Sequence, residues 1–456
     1  MSSHLPRLSI AAAALALPLP SALAQTDSAE KVAGSPLDAS VAALKQDFES
    51  RLAALEKQVG EEKAAREAAE KAAKGKWYEK ISLRGYTQFR TTSLFNEDMT
   101  PNLVVPADSS VSEKETFMIR RGRFIFSGDV SEHVFLYAQF DAFGSVGGTG
   151  DKGLQTRDLY ADVAIDADKE YRFRVGQSKV PYGFVNLQSS QNRAPMERPD
   201  ALNSAVEGER DIGVFFYWAP KEIREVFRQL VRKGLKGSGD YGVLGFGAYS
   251  GQGLNRSDQN GEFHWIGRAS YPFTFDNGQI LELGAQGYVG NFVVSTEQLA
   301  PDTGPTPIAD PEGLDDERLA LSATLYPQPF GFEAEWTWGE GPELNNNVLS
   351  PAVEVDTLEG GYLQANCLIE TSKGPLFPFV RWNYFDGARK FRANAPVDKV
   401  NEIDIGLEWS PWPELELSIM YTRTIKRTDT TDMNDAPFYE EAQDEDRLAF
   451  QLQWNY

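Results

Sequence analysis

The residues best equipped for chemistry in this 456-residue chain are arginines that recur at every second position. In FMIRRGRFIF (Phe117–Phe126) they include Arg121 and Arg123, and in YRFRVGQSK (Tyr171–Lys179) they are Arg172 and Arg174. A guanidinium group is permanently charged and carries a planar fork of N–H donors, so it can pair with phosphate or carboxylate through two hydrogen bonds at once. In an extended strand successive side chains point to opposite faces. Phe124 and Phe126 then take one face and Arg121 and Arg123 the other, provided no bulge shifts the register. By the same parity Tyr171, Phe173 and Val175 oppose Arg172 and Arg174, and Ile81, Leu83 and Phe89 oppose Arg84 and Arg90. Arg268 and Arg381 fall on polar faces by the same test. A column of these groups in a water-filled lumen would attract small anions and pass them from site to site. The alternative is wall charge balanced by carboxylates, and parity also turns Glu282, Glu333, Glu335, Asp404, Glu408 and Glu416 inward.

Other chemistries find little material. The formal net charge of −22 argues against nucleic-acid binding. There are three histidines, His4, His133 and His264, and one cysteine, Cys367. A metal centre, a Ser–His hydrolase site and an internal disulfide are all hard to build from that set, and no cofactor is expected.

The arginines need elements of period two to position them, and such elements fill the chain after Trp77. Sixteen candidate strands span 81–90, 117–129, 133–143, 154–165, 171–179, 208–218, 241–250, 262–275, 279–292, 317–326, 330–339, 358–370, 376–386, 400–410, 414–424 and 446–456. Most have the roughly 9–11 residues that cross a bilayer when tilted. Short connections (130–132, 166–170, 276–278, 327–329, 371–375, 411–413) alternate with long ones (91–116, 144–153, 180–207, 251–261, 293–316, 340–357, 387–399, 425–445). This rhythm predicts an all-β fold: a sixteen-stranded antiparallel transmembrane β-barrel over 77–456. The closing RLAFQLQWNY alternates Phe450, Leu452 and Trp454 with Gln451 and Gln453, as a strand between lipid and water should. Residues 219–240 break the rhythm: they fall at a short-turn position yet look helical, with Ile223, Val226, Phe227, Leu230 and Val231 on one face.

Before the barrel, residues 1–24 read as a signal peptide, with Arg7, an apolar run from Leu8 and an ALA cleavage site. Residues 25–76 read as a periplasmic helical segment. Leu37, Val41, Leu44, Phe48, Leu52, Leu55 and Val59 recur every three or four positions, which fits either a charged helical spacer or an oligomerising coiled coil. Such a helix could also tie the outer membrane to the cell wall.

Several stretches together resemble one family. VGQSKVPYG (Val175–Gly183), MERPDAL (Met196–Leu202) and ERDIGV (Glu209–Val214) are followed by YSGQGLNRSDQN (Tyr249–Asn260), GGYLQANCLIE (Gly360–Glu370) and PFVRWNYFDG (Pro378–Gly387). In order and spacing these are similar to the phosphate-selective porin O and P family. The resemblance implies a homotrimeric outer-membrane channel, set among lipid and lipopolysaccharide, whose arginines conduct phosphate or other small anions. It carries Lys179, Pro181 and Arg210 over from matching motif positions. Loop 180–207, with Arg193 and Arg198, is expected to fold into the lumen, and Lys179, lipid-facing by parity, to turn inward where Pro181 and Gly183 end its strand. One departure favours a general or cation-preferring porin. Phosphate-specific members bear lysines on an inward loop near the entrance, whereas loop 293–316 has no Lys or Arg and six acids. The cationic character is local: residues 77–240 hold 22 Lys and Arg against 23 Asp and Glu, but 241–456 hold 13 against 34. Arg318, near the acidic mouth, is expected to matter little.

Overall fold

The computed structural model describes residues 36–73, 77–95, 117–142, 153–299, 306–345, 350–430 and 439–456. They form two separate units, divided after Lys74. The expected signal peptide and most of loops 91–116 and 144–153 lie outside the described residues.

The first unit is one helix, α1 (Pro36–Ala73). Its seam from Leu44 through Phe48, Leu52 and Leu55 to Val59 is exposed, with Phe48 68% and Leu52 50% accessible. Asp47–Arg51 and Lys57–Glu61 pairs one turn apart support it at the surface.

The second unit is a closed barrel of sixteen antiparallel strands in which each pairs with its sequence neighbour and the last pairs with the first. The strands are β1 (Ser82–Leu94), β2 (Phe117–Asp129), β3 (Val134–Asp141), β4 (Gln155–Ala164), β5 (Tyr171–Lys179), β6 (Arg210–Trp218), β7 (Leu244–Tyr249) and β8 (His264–Thr274), then β9 (Ile280–Phe292), β10 (Leu314–Leu325), β11 (Phe330–Leu344), β12 (Val353–Cys367), β13 (Leu376–Ala388), β14 (Val397–Trp412), β15 (Leu415–Thr430) and β16 (Tyr439–Asn455). Closure runs from Tyr86↔Asn455 to Leu94↔Arg447, and Gly85 and Tyr456 exchange backbone hydrogen bonds of 2.6 and 2.9 Å. Over the span of this closure no strand edge is left to pair with another chain. The alternation is plain in β16, where Phe450 and Trp454 are exposed outward and Arg447, Gln451 and Gln453 are buried inside.

The sixteen expected strands correspond one for one, but those of the second half run further. β11 extends to Leu344, β12 begins at Val353, and β15 and β16 occupy most of the expected loop 425–445. The hydrophobic alternation that marks a strand stops where lipid stops, while the hydrogen-bonded ladder continues into water.

Two segments fold inside. Residues 180–207 carry two short helices, α2 (Phe184–Leu187) and α3 (Asp200–Asn203), and are almost wholly buried. Their apolar side chains meet inward aromatics of the wall: Val180, Tyr182 and Leu202 share a cluster with Phe215, Tyr288 and Tyr362, while Met196 packs with Phe377, Phe379 and Met420. The insert after β6 forms α4 (Lys221–Arg232). Gly234, at φ +67°, ends it, with the Leu235 N–H donating to Leu230 O at 3.0 Å, a glycine-terminated C-cap. Phe227, Leu230 and Leu235 are buried against Phe184 and Tyr326, and Ile223 and Val226 are partly buried beside them. Val231, expected on the same face, is instead 38% exposed. The insert and the loop therefore pack on each other.

Candidate functional site: an ion-paired band inside the barrel

Loop 180–207 crosses a band of charged residues. β1 and β2 supply its first cluster. Pairing between them runs Gln88↔Arg121 and then Phe89↔Ile119, so Arg120 is an extra residue in the ladder. The bulge lets both Arg120 and Arg121 turn inward. Both reach Glu197 on the loop, Arg120 Nε at 3.1 Å from Oε1 and Arg121 Nη2 at 3.3 Å from Oε2. Arg90 Nη1 donates to the same carboxylate at 2.7 Å, while its Nε and Nη2 hold Gln451. Burial works to raise the Glu197 carboxyl, but Arg120, Arg121, Arg90 and Arg193 outweigh it and hold the group well below the usual carboxylate range. Arg123 pairs with Asp141 at 3.1 Å and donates to Tyr86 Oη and Ser190 Oγ.

A second cluster surrounds Glu209, at the foot of β6. Arg198 lies 2.5 Å from it, Arg210 2.6 Å and Arg157 3.9 Å, and Arg210 also pairs with Asp158 at 3.0 Å. Here too burial opposes ionisation, and Arg198 and Arg210 hold Glu209 well below its ordinary range. Arg198 is lowered to about 10, chiefly by burial, against the pull of Glu209. Lys179 is buried beside this cluster and its Nζ donates to Asn186, Leu187 and Gln188 carbonyls at 2.7–3.1 Å, so it binds the loop itself. Gly176 explains how it turns in. At φ +124°, and with Leu159 O only 2.3 Å from where a Cβ would stand, that position requires glycine and breaks the alternation of β5.

The remaining predicted residues occupy separate stations. Arg174 grips Asp162 with two bonds of 2.7 and 2.9 Å and lies over the Tyr160 ring at 4.0 Å. Arg172 pairs with Asp240 of the insert at 2.7 Å, Arg268 with Glu282 at 3.5 Å, and Arg381 with Asp404 at 2.6 Å. Arg193 donates to Pro195 and Met196 carbonyls, shaping its own loop. Arg84 is exposed. The other eleven predicted cations are all buried, so at these stations guanidinium groups meet protein partners before solvent.

The opposite wall is acidic. Glu335 accepts from the Phe184 and Val185 N–H groups, and Glu333 accepts from Gln364 and Asn366 at 3.0 and 3.2 Å. Arg318 is buried and donates to Ala201 O and Ser204 Oγ at 3.2 and 2.9 Å, so it holds the loop and does not sit in an acidic mouth. Lys236 of the insert pairs with Glu408 across the interior.

Sequence reasoning missed Arg120, Arg157, Glu197 and Glu209. Glu197 and Glu209 stand in MERPDAL and ERDIGV, so the signal was present in the motifs. The bulge at Arg120 left no mark on the alternation.

The family model for phosphate-selective porin O and P matches residues 104–456, more than half of the chain. The chain belongs to that family. Among solved structures, Salmonella typhi OmpF in complex with daunomycin aligns at TM-score 0.51 with 14% identity, over 82% of this chain and 97% of that one. The anion-selective porin from Comamonas acidovorans aligns at 0.49 and 11% (82% and 99%), and in-vitro folded OmpT of Vibrio cholerae at 0.47 and 8% (82% and 97%). Identities this low bear on the fold alone. No curated protein matches the sequence. Family and barrel together make this protein an outer-membrane porin of the phosphate-selective porin O and P family. Within it, the buried band above is the feature that loop 180–207 and the first six strands build jointly.

Proposed function

We propose that this porin is a passive diffusion channel that prefers small anions, phosphate or related oxyanions among them, and that the band around loop 180–207 sets the preference. One observation carries the reading. Among the described residues, Arg120 and Arg121 share the single carboxylate of Glu197, and Arg157, Arg198 and Arg210 share Glu209, with Asp158 beside Arg210. Guanidinium groups outnumber carboxylates there, and a local excess of fixed positive charge in a narrow low-dielectric passage favours anions. Arg84, Arg90, Arg123, Arg172, Arg174 and Lys179 extend the cationic wall along the same six strands, and Arg268 and Arg381 contribute paired charge elsewhere.

A second reading is a general or cation-preferring porin of the same fold. It is favoured by Glu333 and Glu335, buried on the far wall and satisfied by neutral partners. Reversal potentials of single channels in a salt gradient separate the two readings. An anion-directed potential supports the first, and a cation-directed one the second. Under either reading we assign residues 1–24 to a signal peptide, α1 to the periplasm and the assembly to a homotrimer, with α1 as coil or cell-wall anchor.

A further inference from the structure

We propose that a cavity between loop 180–207, the insert and strands β3–β6 binds one small neutral sugar ring, so that the lumen also holds an uncharged polyhydroxylated solute. The inference rests on the porin reading, which brings solutes into the lumen, and adds to it a ligand that charge does not select.

The cavity has a volume of about 230 Å³. That is below the ~300 Å³ at which pockets for drug-sized ligands begin, and it leaves room for a single ring. Tyr137, Gln139 and Tyr160 line it from the wall, Asn192 from the loop, Ser238 from the end of the insert and Tyr241 from just beyond it. Two bonds hold the loop to the insert here, Asn192 Nδ2 donating to Gly237 O at 3.3 Å and Gln188 Nε2 to Lys236 O at 2.7 Å.

The charged groups of the lining are already engaged. Arg174 holds Asp162, Arg210 holds Asp158, Asp240 accepts from Arg172 and Arg224, and Lys179 donates to three loop carbonyls. What is left over is neutral. Gln139 and Ser238 are buried, at 4% and 7% exposure, and Gln139 Nε2 and Ser238 Oγ have no hydrogen-bond partner among the described residues. Tyr137 Oη donates to Gln139 Oε1 at 3.1 Å, which leaves the amide N–H groups as the free end. A buried amide donor and a buried hydroxyl without partners suit a ligand that supplies hydroxyl oxygens. Neither carries a charge to offset the desolvation of an anion.

The tyrosines suit a ring. Tyr137 and Tyr160 stack with centroids 5.1 Å apart and planes 15° apart, and the Arg174 guanidinium lies 4.0 Å from the Tyr160 ring and 5.4 Å from that of Tyr241. Packed in this way, the rings present a fixed amphipathic surface, with apolar carbons for the C–H face of a sugar and phenol oxygens for its hydroxyls.

The test is saturation-transfer NMR of D-glucose with the purified full-length protein, in a detergent without a sugar headgroup. The parent is expected to bind glucose saturably. Gln139→Met with Ser238→Ala removes both free groups and is expected to weaken binding by at least about tenfold. If that variant fails to form a heat-modifiable barrel, Ser238→Ala alone is expected to weaken it roughly threefold. Sorbitol, an open chain, is expected to bind several-fold more weakly than glucose, and D-glucuronate, a similar ring bearing a carboxylate, no more tightly. A parent without saturable glucose binding overturns the proposal, as does a folded variant that binds glucose like the parent. Sorbitol binding as tight as that of glucose overturns the assignment of a ring, and tighter binding of glucuronate overturns the assignment of a neutral ligand. A cation-directed reversal potential of the parent channel would defeat the anion-porin reading and leave the glucose result untouched, since that measurement reads no current.

Discussion

Glu335 on β11 accepts a hydrogen bond from the backbone N–H of Phe184 at 2.6 Å, at the start of the first short helix of the inner loop. Val185 donates to the second oxygen at 3.1 Å. Arg90, Arg120 and Arg121 hold the same loop at Glu197 from the opposite wall. The loop is thus a strut spanning the barrel between an acidic anchor and a basic one.

Replacing Glu335 by alanine leaves two buried N–H groups without acceptors, at a cost of roughly 1–3 kcal/mol each. The barrel ladder does not involve that side chain, so assembly should persist while the loop loosens. We expect a new tryptic cut after Arg193 and a larger, noisier single-channel conductance; Arg198 precedes Pro199 and is not a trypsin site. A variant whose loop resists trypsin like the parent would show that the anchor is dispensable.

Replacing Arg120 and Arg121 together by alanine should move the reversal potential toward cations and reduce phosphate inhibition of chloride current. Arg123→Ala should act in the same direction by exposing the charge of Asp141, its partner at 3.1 Å. Screening over ~8–10 Å at physiological salt confines strong effects to the loop level. Unchanged selectivity in the double variant would reduce these arginines to loop anchors.

Arg318→Ala, expected from sequence alone to be silent, should now matter. Its buried guanidinium ties Ala201 and Ser204 to β10, and charge-assisted bonds of this kind are worth about 1.5–3 kcal/mol. Trypsin sensitivity and channel noise should rise as for Glu335→Ala. A silent Arg318→Ala would mean that apolar packing of Leu202 and Val206 suffices to seat the loop.

Lys236→Met removes a partner from buried Glu408 and so should release the insert, since breaking a buried pair costs about 3–5 kcal/mol. Higher conductance with unchanged heat-modifiability is the expected outcome. A conductance equal to that of the parent would argue that the insert does not narrow the passage.

The share of the loop's hold that Glu197 supplies should depend on pH in one direction only. The Glu197 carboxyl is depressed in the folded protein, where its arginine partners outweigh burial. Its contribution is therefore fully present above the unfolded carboxyl value of about 4.3 and is lost as pH falls through the lower folded value. In a Glu335→Gln background, which removes the other carboxylate anchor from the titration, channel noise should stay constant from neutral pH down to about 5 and rise only in more acidic solution. A rise between pH 7 and 5 would point to a different titrating group.

The helix α1 offers a separate test. Phe48 and Leu52 are exposed, and under the coiled-coil reading proposed above they form its seam. If the proposed homotrimer is held by such a coil, changing both to aspartate should lower the heating temperature at which it dissociates on gels, with single-channel conductance unchanged. Oligomers as heat-resistant as the parent would assign α1 to the spacer or anchor role.

The sequence by itself determined the barrel. Alternation is a one-dimensional signal, because lipid and water act on every second side chain, and strands that pair with their neighbours in order need no further information to close. Even the last strand and the helical insert were legible, since LAFQLQWNY and EIREVFRQLV each carry their period in a few residues. The partners of the arginines were decided by tertiary structure alone. Arg90 and Glu197 are 107 positions apart, and Glu335 and Phe184 are 151. No local pattern links them, because burial of a charge is set by whichever loop crosses above it. The bulge at Arg120 and the positive φ at Gly176 were likewise invisible, since the first shifts the register by a choice of backbone hydrogen bonds, the second turns the backbone within an unbroken ladder, and neither is written in the alternation of residue types. Parity told which way the guanidinium groups point, and only the loop folded between the walls decided what they hold.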